Sequence, residues 1–182
     1  MGHIFLYGPS GAGKSTIGKI LAQNLKLPFV DSDQIIESNA GLSIPDIMTE
    51  YGEAGLREIE TAALKQIVND RESVLALGGG ALLRESNRAL VEGCGKVLLL
   101  NASLSTLSER LQQDQHQRPL LAGDLKSKLT TYLNGRAEHY GSFPLRIDVD
   151  GKTPEQIVHG VQVLLGRYHL SEMGDYDVMV VQ

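Results

Sequence analysis

The sequence predicts an α/β protein of three layers, α/β/α, built on a five-stranded parallel sheet. Three observations predict it. Short apolar runs of strand length recur along the chain, helical patterns separate them, and a glycine-rich turn joins the first run to the first helix. The runs are nearly continuous in apolar residues instead of alternating, as expected for strands covered on both faces. In order, the predicted strands are His3 to Tyr7, Leu27 to Val30 ending at Asp31, Ser73 to Leu77, Lys96 to Leu100 and Arg146 to Val149. Helical spacing of Ile17, Ile20, Leu21 and Leu25 predicts the first helix, from Lys14 to Leu25. Further helices are expected over 33–37, 44–51, 52–69, 84–92, 104–111, 126–139 (with Gly135 as a soft spot) and 154–165. Ser43 ahead of Pro45, and Thr153 ahead of Pro154, have the chemistry of helix caps followed by a first-turn proline.

A length of 182 residues suits one main domain with one sizeable core. A net charge of −5 disfavours binding nucleic acid or an anionic membrane through the overall field. Cys94 is the only cysteine, so no disulfide can close within the chain; a reducing, cytoplasmic setting is expected. Cys94 itself reads as a small filler before a buried strand. No secretory signal is recognisable, and no stretch approaches the ~20 apolar residues of a membrane span. The polar, glutamine-rich segment 112–124 is expected to be a mobile loop.

Gly8-Pro9-Ser10-Gly11-Ala12-Gly13-Lys14-Ser15 satisfies the phosphate-loop pattern G-x-x-x-x-G-K-[ST], with a strand before it and a helix after it. Its glycines let backbone N–H groups turn onto phosphates, and the helix beginning near Lys14 adds the positive end of its dipole. Lys14 is expected to reach the β- and γ-phosphates, and the Ser15 hydroxyl to ligate Mg²⁺. The motif implies nucleotide binding and leaves the acceptor unnamed.

Asp31 and Asp33 follow the second predicted strand. On an extended backbone, two-residue spacing turns both carboxylates the same way, at the strand end where such sheets hold ligands. One suits the metal and the other an acceptor hydroxyl; a helix-capping role for Asp33 is the plain alternative. Arg57 and Arg136 each present a planar fork of donors that stays charged. Arg57 can also simply pair with Glu60 along a helix face, and Arg136 can be solvated. The triplet Gly78-Gly79-Gly80 exceeds what stopping a strand requires and suggests close approach of a ligand to the backbone.

Read together, GPSGAGKSTIGKILA, FVDSDQIIE, GLSIPDIMTEYGEAGLREIE, LALGGGALL, RPLLAG and the pair Arg136 with Tyr140 resemble the shikimate kinases, from Ile4 to about Leu165. The resemblance implies a P-loop kinase fold over 1–167 and ATP-dependent phosphorylation of the shikimate 3-hydroxyl, with Mg²⁺. By the same resemblance, Gly11, Ala12, Gly13, Lys14, Ser15 and Thr16 hold ATP, with Arg110 on the adenine side. Ser15 and Asp31 serve the metal. Asp33, Arg57, Gly78, Gly79, Gly80 and Arg136 bind shikimate, and Glu60 orients the carboxylate-binding arginine. Lys14, Asp33 and the lid residue Arg118 are the implied catalytic set. Leu56 departs from the family, which has an aromatic residue there, and looser packing against the shikimate ring is expected.

ATP and shikimate are the expected partners, with no nucleic acid or membrane, and the chain is expected as a monomer or as part of a larger fused polypeptide. Residues 168–182 form an extension whose apolar run, Tyr176 to Val181, faintly resembles the start of 3-dehydroquinate synthase, which some bacteria fuse to this kinase. The rival readings are a gluconate-kinase-like enzyme and a nucleotide-binding module without catalysis. One prediction comes from the sequence alone. Arg118→Ala should collapse turnover while leaving shikimate affinity largely intact, as steady-state kinetics and equilibrium binding would report; an unchanged kcat removes Arg118 from the catalytic set.

Overall fold

The computed structural model describes residues 2–113 and 125–166. It comprises five strands: β1 (His3–Tyr7), β2 (Phe29–Asp31), β3 (Val74–Ala76), β4 (Gly95–Asn101) and β5 (Arg146–Asp148). The helices are α1 (Lys14–Leu25), α2 (Ser32–Ala40), α3 (Ile44–Ile67), α4 (Glu85–Cys94), α5 (Leu104–Gln113), α6 (Leu125–Asn134), α7 (Ala137–Gly141) and α8 (Pro154–Leu164). All strand pairs are parallel, in the order β2-β3-β1-β4-β5.

Side-chain alternation builds the two faces of the sheet. Ile4 and Leu6 of β1, with Leu98 and Leu100 of β4, pack under α1, α5 and α8. Phe5 and Tyr7, with Val97 and Leu99, face the other side, against Leu64 of α3 and Val91 of α4. A third cluster, Ile36, Ile47, Leu56 and Ala63, joins α2 to α3. Leu56, the residue that departs from the family pattern, is buried in this cluster.

Register decides where the ligand-facing loops meet. Leu6 pairs with Ala76, and Ala76 with Asp31, so β1, β3 and β2 end at one level. The phosphate loop, the glycine triplet and the acidic pair therefore leave the sheet side by side, at the carboxyl edge where α/β sheets bind ligands.

Local chemistry sets the helix limits. The Ser43 hydroxyl accepts from the Asp46 N–H, with Pro45 in the first turn of α3. Thr153 and Gln156 form a reciprocal capping box on α8. Gly52, with φ 67°, kinks α3 and divides it near the expected boundary.

Three expectations are corrected. The helix expected over 126–139 is two helices, because the chain leaves helical geometry at Gly135 and Arg136, where Arg136 has φ −121° and ψ 5°. Gln112 and Gln113 belong to α5 and not to a loop. Asp33 is not on extended backbone: Asp31 ends β2 and accepts the Asp33 N–H at 3.1 Å as the cap of α2, so the helix begins immediately at Ser32. The rest of the expected mobile loop, Arg118 included, and the extension 168–182 lie outside the described residues.

Candidate active site

The phosphate loop is built by backbone conformations that glycine tolerates. Gly8, Gly11 and Gly13 have φ of 137°, 85° and 93°. Gly13 precedes α1 with no side-chain cap, so the first-turn N–H groups of α1 are left for an anion. The Lys14 ammonium folds back over the loop and donates to the carbonyls of Gly8 and Pro9 at 2.8 and 2.9 Å. Burial pushes its pKa down to about 8, against the pull of the Asp33 and Asp31 carboxylates, which favour the charged form.

Ser15 Oγ donates to Asp31 Oδ2 at 2.8 Å. A hydroxyl and a carboxylate, both hard oxygen donors beside a phosphate loop, fit Mg²⁺, which takes one or two protein oxygens and completes its shell with phosphate and water. Among the described residues, no cluster of three or more His, Cys, Asp or Glu side chains forms an all-protein metal cage.

A cleft of about 430 Å³ is lined by Lys14, Ser15, Thr16, Asp31, Asp33 and Arg110, among others. A smaller one, about 240 Å³, opens beside it between Arg110, Lys152 and Pro154 and reaches Ala12, Gly13 and Thr16. Arg110 borders both and donates to the Gly11 carbonyl at 3.2 Å. Ala12 itself is buried in the core, so only its backbone is suited to phosphate contact.

The glycine triplet follows directly on Ala76 and Leu77, which line the larger cleft. None of the three has positive φ, so close approach explains them. A Cβ on Gly78 would lie 2.7 Å from Asp33 Oδ1, one on Gly79 2.7 Å from Tyr132 Oη, and one on Gly80 2.6 Å from Arg57 Nη1. The crowding comes from the protein's own side chains and not only from a ligand, as the sequence had suggested. The Gly79 position also lies 3.3 Å from the Gly8 carbonyl oxygen, so this wall touches the phosphate loop.

Arg57 pairs with Glu60 and with Glu53 on its own helix. Its i,i+3 partner Glu60 is buried, and burial raises the Glu60 pKa against the opposing pull of the Arg57 hydrogen bond and charge. The pairing seen here was the plain alternative to a ligand role, and both fit: the acids hold the guanidinium against Gly80. Arg136 is not solvated. Its Nη1 donates to the Gly79 carbonyl at 2.9 Å and to Tyr132 Oη at 2.6 Å, and the guanidinium carbon stands 4.0 Å from the Tyr132 ring centroid.

The structure thus gathers Lys14, Ser15, Asp31, Asp33 and Arg110 around one cleft, while Arg57 and Arg136 lie against Gly80 and Gly79, beyond the Ala76 and Leu77 of its lining. Sequence reasoning missed Tyr7, Tyr132 and His139. The only available signal was Tyr132 lying four residues before Arg136, one helical turn away.

The family model for shikimate kinase matches residues 10–165. The chain belongs to the shikimate kinase family. Its relatives include a shikimate kinase of Sulfurihydrogenibium sp., 40% identical over 92% of this chain and 99% of that protein. The fold is also similar to two solved family members. Shikimate kinase from Acinetobacter baumannii, solved in complex with shikimate, is 33% identical with TM-score 0.83, covering 91% of this chain and 94% of that one. Shikimate kinase from Bacteroides thetaiotaomicron is 34% identical with TM-score 0.83, covering 90% and 98%.

The state of Lys14 carries a pH prediction. Polyphosphate requires the ammonium form, and in the free protein that form is lost as pH rises through about 8. Nucleotide binding should then take up a proton, and affinity should fall by up to about tenfold per pH unit above that point and flatten below it. Calorimetric titration from about pH 6.5 to about pH 9.5, in buffers of different ionisation enthalpy, measures both effects. A flat profile with no proton uptake contradicts it.

Proposed function

We propose that this protein transfers the γ-phosphoryl group of ATP to the 3-hydroxyl of shikimate, giving shikimate 3-phosphate and ADP, in aromatic amino-acid biosynthesis. The observation that carries the reading is an anion site and a phosphate site sharing one backbone wall. Arg57 and Arg136 approach Gly80 and Gly79, while Gly79 also abuts the phosphate loop. Shikimate is a small anionic polyol, so its recognition depends on placed polar groups more than on buried area. The two guanidinium groups supply bidentate donors for its carboxylate, and Asp33, against Gly78, supplies an acceptor for a ring hydroxyl.

The polyphosphate lies on the Gly8–Ser15 loop and the N-terminus of α1, with the base toward the groove between Arg110 and Pro154. Ser15 and Asp31 would hold Mg²⁺, which supplies charge neutralisation at the phosphate oxygens. The shikimate hydroxyl oxygen forms the new bond to the γ-phosphorus as the bond to the β–γ bridging oxygen breaks. Because the transition state is loose, Asp33 need only orient the hydroxyl and take its proton late. Lys14, released from the carbonyls of Gly8 and Pro9, turns to the phosphates and stabilises charge developing on the leaving ADP. Arg118, which the resemblance implies as the lid arginine, would supply positive charge to the transferring group and limit transfer to water. The kinase unit is read as 1–167, acting in the cytoplasm.

A coupled assay of ADP release tests the reading. Shikimate should be required, and gluconate and nucleoside monophosphates should not substitute. ADP release with gluconate and none with shikimate overturns it, as does nucleotide binding without turnover. Within an active enzyme, Arg57→Ala should raise the shikimate KM by about 10- to 100-fold and leave the ATP KM nearly unchanged, the loss expected for a charged hydrogen-bonding partner. Equal losses for both substrates would mean misfolding instead.

A further inference from the structure

A single carbonyl oxygen collects the aromatic residues that the reaction leaves without a role. Tyr7 and Tyr140 donate to the Gly79 carbonyl at 3.2 and 2.9 Å, Arg136 Nη1 donates at 2.9 Å, and Tyr132 Oη stands 3.5 Å away. Beyond this ring of donors, Tyr132 Oη is 3.1 Å from Tyr140 Oη, and Tyr7 Oη is 3.0 Å from His139 Nε2.

One arrangement of protons satisfies every contact except the longest, Tyr132 Oη to the Gly79 oxygen at 3.5 Å. Arg136 can only donate, so Tyr132 accepts from it and gives its own proton to Tyr140. Tyr140 then gives its proton to the Gly79 carbonyl. On the other side, His139 with its proton on Nε2 donates to Tyr7, and Tyr7 donates to the same carbonyl. Burial raises the pKa of Tyr7 and of Tyr140, so both keep the protons this scheme needs. Burial lowers that of His139, aided by the charges of Arg88 and Arg136, so its imidazole is neutral, as the tautomer requires.

The carbonyl so held belongs to the Gly79–Gly80 peptide. Glycine on both sides of that bond leaves the plane little steric restraint of its own. Three donors on the oxygen fix it. A trans peptide then directs the Gly80 N–H away from the tyrosines, and polarisation through the amide makes that N–H a stronger donor. The same oxygen, with the Tyr132 phenol and ring face, fixes Arg136 through Nη1. Among the described residues, Nη1 is the Arg136 nitrogen that makes these bonds. These contacts fix the plane of the guanidinium, and with it the directions of its other N–H groups. Tyr7 immediately precedes Gly8, so the strand that feeds the phosphate loop is tied to the acceptor wall.

We propose that Tyr132 and Tyr7 are positioning residues for the acceptor half of the site. Tyr132 holds Arg136 in its carboxylate-binding orientation, and Tyr7 locks the Gly79 carbonyl from the nucleotide side. Neither touches the reacting atoms. The inference rests on the reading of Arg136 as a carboxylate ligand.

Tyr132→Phe keeps the ring under the guanidinium and removes only the oxygen. It should raise the shikimate KM and Kd by about five- to twentyfold, as losing a charged hydrogen bond would, with the ATP KM within about twofold. In an Arg136→Gln background the same change should have almost no further effect on shikimate binding, because the phenol acts through the arginine. Unchanged shikimate affinity in the single variant, equal losses on both substrates, or a full additive loss in the double variant overturns the proposal. Should Tyr132→Phe fail to accumulate folded, Tyr7→Phe tests the same carbonyl. A shikimate-confined loss of about two- to fivefold supports the idea, and no loss or a loss shared with ATP defeats it. Failure of the underlying reading is distinguishable, since wild-type protein would then release no ADP with shikimate.

Discussion

Three consecutive residues without a Cβ are the constraint on which the proposed acceptor half depends. Asp33, Tyr132 and Arg57 each occupy the space a side chain on Gly78, Gly79 or Gly80 would need. Three different elements, α2, α3 and α6, can therefore close on one stretch of backbone. Any larger residue there would push a functional group outward by more than the few tenths of an ångström that packed side chains yield. Here glycine serves closeness and not unusual dihedral angles, in contrast to Gly8, Gly11 and Gly13 in the phosphate loop.

Electrostatics then divides the crevice. On the nucleotide side, a half-buried lysine rests on its own loop carbonyls with its pKa near 8, ready to exchange two neutral partners for phosphate oxygens. On the proposed acceptor side, each arginine is held by a different device. Arg57 is held by two glutamates, one of them buried, and Arg136 by an aromatic face and a carbonyl. A buried Glu60 without Arg57 would be an uncompensated charge, so removing either partner costs more than the pair contributes. Such supports orient the groups before a ligand arrives, which reduces the entropy lost on binding.

The two sides are joined mechanically as well as electrostatically. Equal end levels of β1, β3 and β2 bring the three loops together. The Gly79 carbonyl, bonded from Tyr7 at the mouth of β1 and from Tyr140 and Arg136 around the α6–α7 break, links the sheet to the helices that carry the acceptor groups. The break is part of this arrangement. A continuous helix through Gly135 would not have given Arg136 its backbone conformation, φ −121° and ψ 5°.

Much of this was legible in the sequence because it is local. Strand-length apolar runs, the spacing of Ile17, Ile20 and Leu21, the caps at Ser43 and Thr153, and the phosphate loop are each set by residues within a turn or two of one another. Family motifs brought Asp33, Arg57, the glycines and Arg136 into view as candidates. Tertiary structure decided what local pattern cannot express. Strand order and register set which loops are neighbours. Asp31 became the helix cap in place of Asp33 because its carboxylate met the Asp33 N–H where β2 ended. The convergence of Tyr7, Tyr132 and Tyr140 on one oxygen joins residues up to 133 positions apart in a chain of 182. Hydrogen-bond partners at that separation are chosen by packing, and no spacing rule along a chain records them.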